Sequence, residues 1–124
     1  MASSICQSLI RKVWRSYSDD LHAVPRSEGI YTIGFEHPDG SVEYKYVGHS
    51  NNIRRRLQQH RRRQSSDISE FVQEQFVLDG GLSLRIKWKE EEDGNCVEGL
   101  YLDCMTIILG YWPELNRQDG NRCM

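Results

Sequence analysis

The stretch Gly29-Ile30-Tyr31-Thr32-Ile33-Gly34-Phe35-Glu36, followed after a short break by Val42-Glu43-Tyr44-Lys45-Tyr46-Val47-Gly48, decides how this chain folds. Both runs are rich in β-branched and aromatic residues, and the second alternates strongly, the period-2 pattern of a half-buried strand. Between them Pro38-Asp39-Gly40 supplies a turn, because Pro presets φ and Gly tolerates φ > 0. The two runs predict a β-hairpin. On this reading Tyr44, two residues before Tyr46, shares its strand face. Aromatic residues packed across a hairpin are a common arrangement, so neither Tyr31 nor Tyr46 announces chemistry by itself.

Upstream, the apolar spacing of Ile5, Leu9, Ile10, Val13, Trp14 and Tyr17 predicts a helix over 3–18, ended by Pro25 and the Ser27-Glu28-Gly29 stretch. Downstream, Ser50 or Asn51 is the expected N-cap of a helix over 52–63 with Ile53 and Leu57 inward. Asp67-Ile68-Ser69-Glu70 has capping-box spacing. It opens a second helix, with Ile68, Phe71, Val72 and Phe76 inward and Gly80-Gly81 at its end. Residues 82–88 alternate as a third strand, 90–94 form an acidic loop, and 95–110 form a last helix. Val97, Leu100, Tyr101, Cys104, Met105 and Ile108 mark that helix's buried face. Pro113 starts an extended tail. The expected class is α+β: a small, three-stranded, mainly antiparallel sheet flanked by helices, in a single domain over 1–124. Residues 1–27 would be an N-terminal helical extension, and 28–118 the core.

The chain has 124 residues, 38% of them hydrophobic and 27% charged, the make-up of an ordinary globular domain able to bury a core without staples. No apolar run approaches the ~20 residues that span a bilayer, and the start has no charged segment leading into an apolar one. Cys6, Cys96, Cys104 and Cys123 show neither a CxxC pair nor zinc spacing, and are expected as free thiols. The expected location is intracellular, nucleus or cytoplasm, and not secreted. The net charge of −2 weighs against a strong nucleic-acid binder. The distribution weighs the other way: Arg54, Arg55, Arg56, Arg61, Arg62 and Arg63 fall within ten residues, while Glu90 to Asp93 form an opposing run.

Taken together, Gly29-Ile30-Tyr31, Tyr46-Val47-Gly48, the following His49-Ser50-Asn51-Asn52-Ile53-Arg54-Arg55-Arg56-Leu57-Gln58-Gln59-His60, and the later Glu98 and Asn116 resemble the GIY-YIG nuclease superfamily across about residues 28–118. The spacer between Tyr31 and Tyr46 is longer than the family usually has, an insertion that a surface turn absorbs easily. The chain carries no zinc module or separate DNA-binding domain of the kind many members have. The resemblance implies a metal-dependent DNA endonuclease. Arg56 takes the position of the catalytic arginine, and His60 that of a residue often His or Tyr. Glu98 takes the position of the metal ligand, for Mg²⁺ or Mn²⁺. It further implies that Tyr31 helps deprotonate the attacking water.

The physical chemistry of those residue types agrees. Phosphodiester hydrolysis needs a positioned nucleophile, charge neutralisation and a stabilised leaving oxygen. Arg56 shares a helix face with His60 one turn on, and a guanidinium can place a permanently charged fork on a phosphate. Glu98, with Tyr101, Leu102 and Met105 at i+3, i+4 and i+7, borders an apolar face where a carboxylate needs compensation; a position near a helix N-terminus would also favour it. Tyr46 can position water or phosphate by hydrogen bonding, and His60 can serve as a second base or phosphate donor. Gly29 and Gly48 allow close backbone approach or unusual dihedrals. Asn116 either anchors the tail against the hairpin or contacts the phosphate. Arg54, Arg55, Arg61 and Arg62 are expected to make diffuse, sequence-independent DNA contacts. The expected activity is nicking of one strand per site. The alternatives are a catalytically weak or inactive DNA- or protein-binding module, or a nuclease subunit needing a protein partner or a second copy for DNA affinity.

Overall fold

In the computed structural model the two decisive runs become β2 (Gly29–Glu36) and β3 (Val42–Ser50), paired antiparallel. The turn between them closes as expected: Asp39 Oδ1 accepts the Ser41 N–H at 2.9 Å, and Gly40 sits at φ 90°. The structure describes residues 5–63, 66–92 and 94–116, without the side chains of 94–96. The remaining elements are α1 (Gln7–Ile10), β1 (Arg15–Ser16), a single 3-10 turn (Leu21–Ala23), α2 (Ile53–Arg62), α3 (Asp67–Asp79), β4 (Leu84–Glu90) and α4 (Gly94–Leu109).

The sheet has four strands, all antiparallel, in the order β1-β4-β2-β3. The α+β class holds, and β1 is the addition. The expected helix over 3–18 shrinks to the one turn of α1, because Arg15 and Ser16 pair with Ile86 and Arg85 on β4. Helix propensity is a weak preference that a sheet edge with unpaired backbone groups overrides. Val13, expected to face inward, is 80% exposed as a result. The third predicted strand starts two residues later than expected, since Leu82 and Ser83 belong to the turn after α3.

Two cores sandwich the sheet. On one side Tyr31, Ile33, Leu84 and Ile86 pack under Ile53 and Leu57 of α2 and Ile68 and Val72 of α3. On the other, Ile30, Tyr44 and Val47 pack against Leu9 of the N-terminal segment and Tyr101, Leu102, Cys104 and Met105 of α4. The helix caps shift by a residue from expectation: Asn52 accepts from Arg55 N, and Ser66 accepts from Ser69 N, so the capping box is replaced by a serine cap. Gly80 ends α3 in the left-handed region at φ 70°. On α4 the buried stripe is rotated. Leu102 is inside, whereas Leu100 and Ile108 are exposed, and the face that α4 turns to the sheet meets β3 and β2.

The free-thiol expectation fails for two of the four cysteines. Cys6 and Cys104 form a disulfide inside the second core, tying the N-terminal segment to α4 across 98 residues of sequence. A loop of that length is worth on the order of 4–5 kcal/mol in the chain-entropy model. The Cys96 side chain and Cys123 lie outside the described residues. Among the described residues no helix is long and apolar enough to cross a membrane.

Candidate active site

Strand register decides whether the two tyrosines can act together. Tyr31 pairs with Gly48, and Ile33 with Tyr46, so Tyr31 and Tyr46 are diagonal neighbours on one face of the hairpin. Beyond Ile33 the register slips: Gly34 pairs with Tyr44, leaving Lys45 as an extra residue. A bulge of this kind reverses the alternation, and Tyr44 turns to the opposite core instead of sharing the Tyr46 face. There its hydroxyl takes a hydrogen bond from the buried Lys87 at 2.6 Å.

Gly48 makes the tyrosine pair possible. A Cβ there would lie 2.6 Å from Cε2 of Tyr46 and 2.7 Å from the Tyr31 hydroxyl. Gly29 has the same kind of role, since a Cβ on it would lie 2.3 Å from the Lys89 carbonyl oxygen. Neither glycine has positive φ, so close approach is what each provides.

The third ring comes from α2. Helical spacing puts His60 on the inward face with Ile53 and Leu57, where Nε2 lies 2.8 Å from the Tyr31 hydroxyl. The ring centroids are 6.1 Å apart for Tyr31–Tyr46, 5.9 Å for Tyr31–His60 and 6.1 Å for Tyr46–His60, a closed triangle. His60 is held from behind by α3: Nδ1 lies 3.0 Å from Ser69 Oγ, and Gln73 donates to the His60 carbonyl at 3.2 Å. Sequence reasoning placed Ser69 only within a helix start. A polar residue in a first turn reads as capping, and nothing in periodicity marks it as the partner of a ring nine residues earlier.

The electrostatics join Arg56 and Glu98 to the triangle. Burial pushes Tyr31 well above the usual phenol range; Tyr46 adds to this, Arg56 opposes it, and Glu98 adds a smaller contribution. Tyr46 is raised by burial and then by the Glu98 carboxylate, again against Arg56. Burial, followed by the Arg56 charge, brings His60 down to about 4. At neutral pH the site is therefore two phenols and a neutral imidazole, with an exposed guanidinium and a partly buried carboxylate near enough for their charges to act on it. Burial dominates the nearby cation, so Tyr31 is not a standing phenolate.

His60 makes stability depend on pH. Its folded value lies below the 6.5 of a free imidazole, so between pH 6.5 and 4 the unfolded chain binds a proton that the native chain refuses. Stability is full above that window and falls as pH drops through it, by on the order of 3 kcal/mol. Urea unfolding at pH 7 and pH 4.5 should show this loss in the wild type. A His60→Gln variant should lose clearly less; equal losses would mean that His60 protonates freely in the fold.

The donor set fits a hard divalent cation. Among the described residues no three His, Cys, Asp or Glu side chains cluster at metal-binding distance. One carboxylate, Glu98, exerts its charge on both tyrosines. A single carboxylate beside a phosphate is what Mg²⁺ accepts, since that ion keeps most of its waters.

Asn116 lies on the β3 edge. Its Oδ1 accepts from Val47 N and its Nδ2 donates to Val47 O, both at 2.9 Å, while Leu115 N bonds Lys45 O. Residues 111–116 thus cover a strand edge that would otherwise be open, and they fix the backbone between Tyr46 and Gly48.

The four arginines expected on DNA divide into two pairs. Arg54 donates to the Val24 and His22 carbonyls, each at 2.7 Å, and braces the segment before β2. Arg61 stacks over Phe76 at 4.0 Å, beside a cleft of about 240 Å³ shared with Leu21, Gln58 and Arg62. Arg55 and Arg62 are exposed on the outer side of α2.

Comparisons with known proteins agree with this geometry. The family model described as the GIY-YIG catalytic domain matches residues 28–91, just over half of the chain. The match takes in Tyr31, Tyr46, Arg56 and His60, and ends before Glu98 and Asn116. Neither the search of curated proteins nor that of solved structures returns a match. With the hairpin, the α2 face and the family model all in agreement, the chain belongs to the GIY-YIG catalytic domain family, a family of nuclease domains.

Proposed function

We propose that this protein is a metal-dependent DNA endonuclease that hydrolyses one phosphodiester per site. The observation that carries the proposal is the triangle of Tyr31, Tyr46 and His60, closed by the 2.8 Å Tyr31–His60 hydrogen bond, with the charges of Arg56 and Glu98 acting on it. Glu98 is the residue that would hold Mg²⁺ or Mn²⁺. A cation bound there supplies charge neutralisation at the phosphate oxygens.

The chain's own residues do the rest. Arg56, exposed and permanently charged, reaches the scissile phosphate and stabilises its transition-state charge. That anion in turn offsets the Arg56 charge that holds His60 down, making the imidazole a better proton acceptor once substrate is bound. Tyr31 takes a proton from the attacking water as it releases its own to His60. Tyr46 orients the water or phosphate, and Asn116 supports Tyr46 by fixing the Val47 backbone. Arg55 and Arg62 contribute salt-dependent affinity, with Arg54 and Arg61 serving chiefly to hold α2 in place. We read residues 1–124 as one domain, with 28–118 as the nuclease core. A DNA substrate places it in the nucleus or cytoplasm, where the Cys6–Cys104 bond would meet reducing conditions.

A partner-dependent version of the same reading is favoured by one observation: half of the arginines expected to bind DNA are engaged within the fold. Supercoiled-plasmid nicking at low salt with Mg²⁺ or Mn²⁺ tests both. Open-circle product that disappears with EDTA supports the independent enzyme. Nicking seen only after fusion to a DNA-binding domain supports the partner-dependent one. No nicking in either form leaves the chain a binding module.

A further inference from the structure

The triangle explains which groups meet but leaves a difficulty. A buried phenol is a poor base, and it can accept a proton only while giving one up. From Tyr31 the polar contacts continue inward in a single file: Tyr31 Oη to His60 Nε2 at 2.8 Å, His60 Nδ1 to Ser69 Oγ at 3.0 Å, and Ser69 Oγ to Ser66 Oγ at 3.1 Å. Tyr31, His60 and Ser69 are buried, and Ser66 is exposed at the start of α3. The file therefore runs from the centre of the site to solvent.

Its polarity follows from the ends. The Tyr31 hydroxyl meets two partners, His60 Nε2 and the Tyr46 hydroxyl, and the file carries a proton outward in the arrangement where Tyr46 donates to Tyr31 and Tyr31 donates to Nε2. A neutral imidazole with an accepting Nε2 carries its hydrogen on Nδ1, which points at Ser69 Oγ. Ser69 accepts that hydrogen and directs its own to Ser66 Oγ. Ser66 Oγ also accepts the Ser69 N–H as the helix cap, which fixes the hydroxyl in place. Among the described residues no buried side-chain polar atom lacks a partner, in keeping with one continuous chain.

Resting on the nuclease reading above, we propose that Ser69 is a positioning residue that holds His60 in its Nδ1–H form, and that Ser69 and Ser66 conduct the proton released by Tyr31 out to solvent. In the step, an O–H bond of the attacking water breaks as its oxygen bonds to phosphorus, and the P–O bond to the leaving sugar oxygen breaks, that oxygen taking a proton from solvent to leave as a hydroxyl. The water's proton goes to Tyr31 Oη, and Tyr31's own proton goes to Nε2. The resulting imidazolium passes its Nδ1 proton to Ser69 Oγ as the Ser69 proton moves to Ser66 and from there to water. Tyr31, His60 and the two serines end neutral, His60 with its hydrogen on Nε2, and one proton enters the solvent; proton exchange along the same file restores the Nδ1–H form before the next turnover. The groups facing this file are Tyr31 of β2, Tyr46 of β3, Arg56 of α2 and Gln73 of α3, with Glu98 of α4 acting on the tyrosines.

The test uses the full chain labelled with ¹⁵N-histidine. Imidazole ¹⁵N shifts should show His60 protonated on Nδ1 in the wild type. In Ser69→Ala the proton should move wholly or partly to Nε2, while Ser69→Thr, which keeps the hydroxyl, should restore the wild-type pattern. In plasmid nicking, Ser69→Ala should lower kcat by roughly 10-fold to 100-fold with KM unchanged, and Ser69→Thr should recover it. A wild-type proton on Nε2, or a Ser69→Ala protein with unaltered tautomer and kcat, overturns the proposal. If the wild type nicks nothing, the nuclease reading fails by itself, and with it the conducting role; the NMR experiment still decides whether Ser69 sets the tautomer.

Discussion

Glu98→Gln is expected to reduce plasmid nicking at least about 10³-fold, with the protein folded and its melting temperature nearly unchanged. Glutamine keeps the shape and removes the charge, so the variant isolates what the carboxylate's charge does. Two consequences follow if Glu98 holds the cation. Mn²⁺ binding, followed by paramagnetic resonance of the free ion, should weaken in the variant along with the activity. Raising Mn²⁺ should recover part of the lost rate. The competing account is a carboxylate in the first turns of α4 whose role is structural, favoured there by the helix N-terminus. On that account Glu98→Gln affects stability alone and leaves cleavage intact. A variant that nicks as fast as the wild type would therefore remove Glu98 from the site and overturn its role as the metal ligand.

Why Glu98 needs such a test, while the tyrosines are placed by the fold, reflects what this sequence makes legible. The hairpin was readable because alternation, β-branched residues and a Pro-Asp-Gly turn all pointed the same way. The inward face of His60 was readable because helical spacing of 3.6 residues is rigid, so Ile53 and Leu57 fix the side of α2 it takes, while Arg56, one turn earlier, comes out exposed. Tyr44 was misplaced because a bulge at Lys45 is a one-residue event with no composition of its own, and one extra residue reverses the alternation. The N-terminal helix was overestimated because spacing alone cannot show that the β4 edge offers Arg15 and Ser16 a better set of hydrogen bonds. The Cys6–Cys104 pair was invisible because its partners are 98 residues apart, and connectivity is not encoded in spacing. Ser69 and the Asn116–Val47 contact share that property: each is a tertiary hydrogen bond between elements whose relative placement is settled only when the cores pack. The bonding of Arg54 to two carbonyls has the same origin, and a run of arginines gives no sign of which will be drawn into the fold.

Arg56 is the residue of that run whose loss should matter most. Arg56→Ala is expected to lower kcat about 10²–10³-fold, the usual effect of removing one charged donor from a developing phosphate charge. Arg56→Lys should recover only part, because an ammonium does not reproduce the planar fork. A diffuse backbone contact would behave differently. Arg55→Ala and Arg62→Ala should weaken DNA binding modestly, flatten its salt dependence by about one ion each, and leave kcat at saturation near the wild type. A second signature needs no substrate. The Arg56 charge is one of the causes holding His60 down at about 4, so Arg56→Ala should raise the His60 titration midpoint, read by NMR, toward its ordinary range. Burial, the larger cause, should keep it from reaching 6.5. The same substitution should push Tyr31 still higher, since the Arg56 charge opposes the effect of its burial. The variant would thus have a more basic imidazole and a less acidic phenol, yet a slower reaction, because phosphate stabilisation is lost. If Arg56→Ala shifts His60 but spares kcat, the guanidinium tunes the ring from a distance and another cation must meet the phosphate. If neither changes, Arg56 lies outside the field of the site, and the electrostatic link between α2 and the tyrosines fails with it.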